Sequence, residues 1–212
     1  MYVMDVTSPE TARPLDVRCY GGAAIEPWLD DLARLRISVF RDWPYLYDGD
    51  AAYEASYLKT YLQSPRSVAV LAFDGDRVVG ASTGLPLVDE SEEFLAPFDG
   101  VSVAPQEVFY CGESVLLPAY RGRGIGHRFF DEREAHARSY GDYAWTAFCA
   151  VDRDPSHPRR PAFHRGNEAF WNKRGYRPRS DIRANLAWRE VGQAGETGHT
   201  LTFWLRPLER TR

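Results

Sequence analysis

Cysteine is scarce in this 212-residue sequence, and the residues present, Cys19, Cys111 and Cys149, are odd in number and widely spaced. None forms a Cys-x-x-Cys pair, which argues against a disulfide framework and against a zinc or other metal site. Such a set of thiols fits a reducing cytoplasm. No apolar run reaches the roughly 18 residues that a membrane span needs. The first residues, Met1 to Asp16, also lack the basic-then-apolar order of a secretory signal. The expectation is a cytoplasmic protein with no membrane partner. Positive charge is in no excess either: 26 Lys and Arg face 30 Asp and Glu, for a net charge of −4 and a pI near 5.8. That balance speaks against nucleic acid as a partner and confines any anion site to local arginine clusters. Internal repeats and low-complexity tracts are absent as well.

Apolar side chains are plentiful: 44% of residues are hydrophobic and 14% aromatic, enough to bury one large core. Residues 1–14, with Pro9 and Pro14, read as a flexible arm, and 15–212 as one domain. Leu15, Val17 and Cys19 alternate with charged residues into Gly21-Gly22, a strand and a stop. From Glu26-Pro27, the positions Leu29, Leu32, Leu35, Val39 and Phe40 recur at helical spacing, so a helix is expected to end near Arg41. The aromatic stretch Trp43-Pro44-Tyr45-Leu46-Tyr47 reads as an irregular loop, and Tyr53 to Leu62 as a second helix closed by Pro65. Val68–Phe73 and Val78–Leu87 flank Asp74-Gly75-Asp76, the pattern of an antiparallel hairpin, and Glu90–Leu95 reads as a surface helical turn or two. Val108 to Leu117 reads as one long fourth strand in which Gly112 suggests a bulge or a close backbone approach. Beyond it, Phe129 to Tyr140 is helical and ends at Gly141, and Tyr143–Val151 is the fifth strand. Strand, helix, strand makes a parallel pair with a crossover helix. A loop over 152–166 follows, with three prolines, two histidines and four arginines, then a short helix over 167–174 and a hairpin of 184–190 with 200–205.

Between the fourth strand and its helix lies Arg121-Gly122-Arg123-Gly124-Ile125-Gly126. Glycines free the backbone to approach a ligand closely, and a helix starting near Gly124 would aim unpaired N–H groups and its positive dipole end into the turn. That combination suits a phosphate or pyrophosphate. The dinucleotide pattern G-x-G-x-x-G fails, because His127 stands where the third glycine should fall, and no Gly-Lys-Ser/Thr of a triphosphate loop is present. What matches is Arg-x-x-Gly-x-Gly at Arg121, Gly124 and Gly126, followed at Asn167 by Asn-x-Ala and then Gly175-Tyr176. With this loop and order of elements, the sequence resembles the GNAT superfamily of acyl-CoA-dependent N-acyltransferases over nearly its whole length. The resemblance implies an α/β fold, a mixed and mostly antiparallel sheet with a central parallel pair, strands four and five, and flanking helices. It also implies acetyl-CoA as the acyl donor. Backbone groups of Val115, Leu116 and Leu117 would pair with the pantetheine arm. Arg121, Gly122, Arg123, Gly124, Ile125 and Gly126 would wrap the pyrophosphate, with His127 at the helix start. Asn167 would bond the pantetheine and Phe170 line its channel.

The reaction so implied is transfer of the acetyl or another short acyl group to a primary amine, by direct attack in a ternary complex. It requires removal of an ammonium proton and protonation of a thiolate. A backbone N–H near Leu116 or Leu117 would hold the oxyanion. Glu113 is the candidate base, directly or through water, the alternative being a glutamate that pairs with an arginine. Many relatives place the acid, a tyrosine, where this chain has Trp171, whose indole is no acid. Tyr176, Tyr110, Cys149 or water are then the candidates. Trp43, Tyr45 and Tyr47 read equally as acceptor pocket or as core packing, His157 and His164 as part of a solvated loop or of a cover over the site, and Arg159, Arg160 and Arg165 as solvated charge or as partners for a substrate carboxylate or the ribose phosphate of CoA. Trp171 motivates a second reading, a CoA-binding sensor or interaction module without turnover. The acceptor is a small molecule or a peptide amine, and a homodimer is an assembly open to it.

Overall fold

The computed structural model describes residues 14–209, so all but the last residue of the expected N-terminal arm lies outside the described residues. The chain runs β1 (Asp16–Gly21), a 3₁₀ segment (Gly22–Trp28), α1 (Leu29–Phe40), α2 (Ala51–Tyr57), α3 (Lys59–Gln63), β2 (Val68–Asp74) and β3 (Arg77–Pro86). It continues through α4 (Glu92–Leu95), β4 (Val108–Tyr110), β5 (Ser114–Leu116), α5 (Ile125–Tyr140), β6 (Trp145–Val151), α6 (Glu168–Lys173), β7 (Arg177–Arg189) and β8 (Glu196–Pro207). The strands form one eight-stranded sheet in the order β1-β2-β3-β4-β6-β8-β7, with β5 also on β3. Only β4 and β6 are parallel; the other pairs are antiparallel. This is the mixed sheet with a central parallel pair that the resemblance implies.

Both faces of the sheet are covered, which is why β2 and β3 read as apolar runs rather than as alternations. Val68, Val70 and Ala72 face the α5 side and pack with Phe129 and Phe130, while Ala69, Leu71 and Phe73 face the α1 side with Leu32 and Leu35. Continuing to β6, Phe148 points to the α5 face and Ala147 and Cys149 to the α1 face.

Three expectations change. The second helix breaks into α2 and α3, with Asp50 capping α2 through bonds from Ala52 N and Tyr53 N. The hairpin strand expected from 184 begins at Arg177; its first half carries Pro178 and several charges, the mark of a sheet edge, which hides the alternation. Most consequential for function, the fourth strand is not continuous. Gly112 has no room for a side chain, because a Cβ there would sit 2.0 Å from the Tyr61 hydroxyl. Residues 111–113 fall outside both strands, with Cys111 still bonded to Ala147 and residues 112 and 113 to Thr83; β4 stays between β3 and β6, and β5 pairs with β3 alone.

Candidate active site

The break between β4 and β5 opens the sheet. Cys111 N donates to Ala147 O at 2.7 Å, the last bond joining this side of the sheet to β6. Past it a groove of about 420 Å³ lies between residues 111–114 on one side and 148–153 on the other. Leu117 N donates to Val79 O, and Thr83 N to Glu113 O, so residues 113, 115 and 117 direct their backbone groups at β3. Alternation along a strand turns the amides of Ser114 and Leu116 the opposite way, toward the opening. Of the three residues expected to present backbone groups here, only Leu116 does so; Val115 and Leu117 are spent on the ladder, and Ser114 takes the second place.

Beyond the end of β5, the glycine loop starts α5. Gly122 (φ 77°) and Gly124 (φ 80°) are left-handed, a conformation costly for residues with a Cβ. Among the described residues the amides of 122–126 have no hydrogen-bond acceptor, while His127 N and Arg128 N return to Gly124 O. Helix start and free amides together make an anion cradle. Arg121 Nε bonds Leu116 O at 3.1 Å and Arg123 Nη2 bonds Ala119 O at 3.2 Å, so both arginines fold back on their own loop. None of Arg121 to His127 lines the groove itself. An aromatic chain joins the two: His127 packs on Phe170 at 4.9 Å and Phe170 on Phe130, which lines the groove. A Cβ on Gly126 would meet Phe170 at an ordinary 3.8 Å.

Asn167 stands at the N-terminus of α6, its backbone O accepting from Trp171 N and its side chain making no capping bond, and it lines the groove. Trp171 lines it as well, its ring 4.9 Å from Phe148 and 5.0 Å from Trp204. On the α5 face, then, the wall is indole and carbocyclic ring.

The α1 face is polar. Glu113 also lines the groove, and its side chain is fully buried in an ion pair with Arg36, which pairs with Glu54 as well. A single guanidinium therefore serves two carboxylates, and Oε1 of each has no hydrogen-bond partner among the described residues. Arg133 from α5 holds the backbone of this turn through Glu113 O at 3.1 Å. Neighbouring Cys149 has its thiol pushed up to about 12 by burial and hydrogen-bonded to the Tyr110 hydroxyl at 3.1 Å.

Of the residues considered as acid, Tyr176 is fully buried, bonds Thr146 and Glu134, and does not reach the groove. Tyr110 is likewise interior; only Cys149 lines the groove. Residues that sequence reasoning left without a role do line it, Ser114, Arg133, Arg153 and Phe40, and so do Trp43 and Tyr45, which it read equally as pocket or as packing. Tyr47 does not, although it belongs to the same loop. Arg36 and Glu54 carried a readable signal, being charged residues on the apolar stripe of a helix. Of the 152–166 loop, Arg160 and His164 reach the groove, and His157 and His164 pack on Trp43.

A model of the acetyltransferase (GNAT) family matches residues 29–165. No curated protein matches the sequence. Among solved structures, the chain is similar to ribosomal-protein-alanine N-acetyltransferase from Brucella melitensis, with TM-score 0.59 at 15% identity over 92% of this chain and 100% of that one. It is also similar to yncA from Salmonella typhimurium, solved with its cofactor acetyl-CoA, with TM-score 0.57 at 12% identity over 94% and 97%. Arabidopsis thaliana NAA60 in complex with a bisubstrate analogue gives TM-score 0.58 at 13% identity over 92% and 100%. At these identities the structures speak for the fold, while the family model, which spans more than half of the sequence, speaks for descent. The chain belongs to the acetyltransferase (GNAT) family.

Proposed function

We propose that this protein is an N-acetyltransferase that moves the acyl group of acetyl-CoA, or of a related short acyl-CoA, to a primary amine by direct attack in a ternary complex. The observation that carries the reading is the opening between β5 and β6, into which the amides of Ser114 and Leu116 point. The residues present suit the donor. An extended arm bearing amides adds to such an edge as a further strand would. The unpaired amides of 122–126 and the N-terminus of α5 suit its diphosphate, with Arg121 and Arg123 within the same turn. Asn167 stands at the far wall for the arm, and Phe170 packs behind Phe130 of that wall rather than lining it. The Leu116 N–H suits an oxyanion developing on the acyl carbonyl. Glu113, with one carboxylate oxygen unengaged, is the base for the acceptor ammonium.

Calorimetry with CoA and the folded protein is expected to show binding, and Arg123→Glu to weaken it about tenfold or more by removing one cation and adding an anion beside the diphosphate. Absence of binding, or an unchanged Kd in the variant, overturns the cradle. Trp171 in place of an acid supports a second reading, a CoA-binding module without turnover. Thiol release from acetyl-CoA across a panel of amines, amino acids, polyamines, aminoglycosides and peptides separates the two, since sustained release with any acceptor eliminates the module.

A further inference from the structure

Resting on the acetyltransferase reading, we infer that Tyr45 is the group that protonates the departing thiolate, and that an Arg153–Glu190 clasp positions it. Trp171 and Tyr45 line the same groove from opposite faces of the sheet: Trp171 belongs to the α5-side cluster, and Tyr45 packs on Phe40 of α1 at 4.6 Å. With Tyr176 and Tyr110 in the interior, Tyr45 is the only tyrosine lining the groove among the described residues. Facing it are Cys149 and the backbone of Val151 on β6, Arg36 on α1 and Glu113 beyond β4. Burial raises the phenol above its ordinary range, so it enters the reaction with its proton. Cys149 is the weaker candidate, since its thiol is engaged with Tyr110.

The loop carrying Tyr45 has no secondary structure of its own, yet it is held firmly. Arg153, at the end of β6, donates Nε to Pro44 O at 2.6 Å, Nη2 to Tyr45 O at 2.8 Å and Nη1 to Glu190 Oε1 at 2.6 Å. The side chains of Arg153 and Glu190 are 12% and 10% exposed, dry enough for the fork to hold its geometry. Trp188 Nε1 adds a bond to Tyr45 O at 3.1 Å. Leu46 O accepts from Val191 N and Arg189 O from Asp48 N, laying the segment along the end of β7. Backbone anchoring of this kind leaves the Tyr45 side chain free for chemistry.

The step balances simply. The amine lone pair forms the C–N bond, and the C–S pair leaves on sulfur. The ammonium proton passes to Glu113 or water before attack, the Tyr45 O–H proton passes to the departing sulfur, and the second proton that nitrogen sheds as the amide forms returns, directly or through water, to the phenolate. Arg153 acts through Tyr45 and is a positioning residue.

Tyr45→Phe keeps the ring and its packing. With acetyl-CoA and the best acceptor of the amine panel, kcat is expected to fall about 100-fold while CoA affinity by calorimetry stays within about twofold. Arg153→Gln is expected to lower kcat at unchanged CoA affinity, and Arg153→Lys not to restore it, because a single ammonium cannot reproduce the fork. A Tyr45→Phe enzyme that keeps its kcat overturns the assignment and leaves the acetyltransferase reading intact. A wild type that binds CoA but acetylates nothing overturns both.

Discussion

At the scale of single residues, two positions shape the groove, one half-buried and one buried. Gly112 leaves the space that the Tyr61 hydroxyl fills, at the point where the strand breaks. Gly112→Ala is expected to cost about 1–3 kcal/mol through overpacking, read from urea unfolding. Adding Tyr61→Phe, which removes the oxygen the new methyl would strike, is expected to recover part of the loss. Additive losses would show that the contact is not the cause. Arg36 is the second position. Buried with Glu54 and Glu113, it lets a carboxylate stand beside the groove, where an unpaired charge would cost several kcal/mol. Sequence reasoning had Glu113 as a base or as an arginine's partner, and the structure gives it the arginine while leaving one oxygen unengaged. Neither contact is written locally, since Tyr61 and Arg36 lie far from residues 112–113 in sequence.

At the scale of elements, the local rules were the readable ones. Helices α1 and α5 follow from apolar spacing, the β2–β3 hairpin from Asp74-Gly75-Asp76, and the α5 start from Gly124. Gly124→Ala tests that start. No atom lies within 4 Å of a Cβ there, so the cost comes from the left-handed backbone alone, about 1–2 kcal/mol. CoA affinity is expected to fall along with stability, because the same turn orients the free amides. A variant of wild-type stability in thermal unfolding would show that the backbone at this residue is not strained. Less readable were elements whose pattern depends on neighbours. The first half of β7 is a charged edge without alternation, and β4 and β5 are one apolar run in sequence but two strands in space. The Trp43–Tyr47 loop was legible as aromatic and irregular. Which ring turns into the groove was not, because Arg153 and Glu190 decide it.

At the scale of the whole molecule, the sheet separates an aromatic wall on the α5 side from a titratable cluster on the α1 side. Glu90 belongs to that cluster, and burial, with a smaller contribution from the charge of Glu113, pushes its carboxyl up to about 7 from an ordinary 4.5. Between these values the native state holds a proton that the unfolded chain has released. Stability contributed by this group is therefore present below about 4.5 and lost as pH rises through about 7. Glu90→Gln is expected to stabilise the protein by something on the order of 3 kcal/mol at alkaline pH and by nothing measurable in acid. Urea unfolding at both ends of the range checks this, and a difference that does not vary with pH would refute it. No helix among the described residues is long and apolar enough to cross a membrane.

The sequence by itself determined the order of elements, the glycine–arginine turn and the helix that begins there. These depend on sterics and capping within a few residues of chain. Through the resemblance it also placed Trp171, whose indole is no acid, where an acid was expected. Only the tertiary structure decided that the fourth strand opens into a groove, that the amides of Leu116 and Ser114 rather than those of Val115 and Leu117 turn away from β3, and that Tyr45 lines the groove while Tyr176 does not. Those outcomes rest on which backbone donors a neighbouring strand satisfies and on which side chains meet across the core. Both are set by residues remote in sequence, so no local pattern carries them.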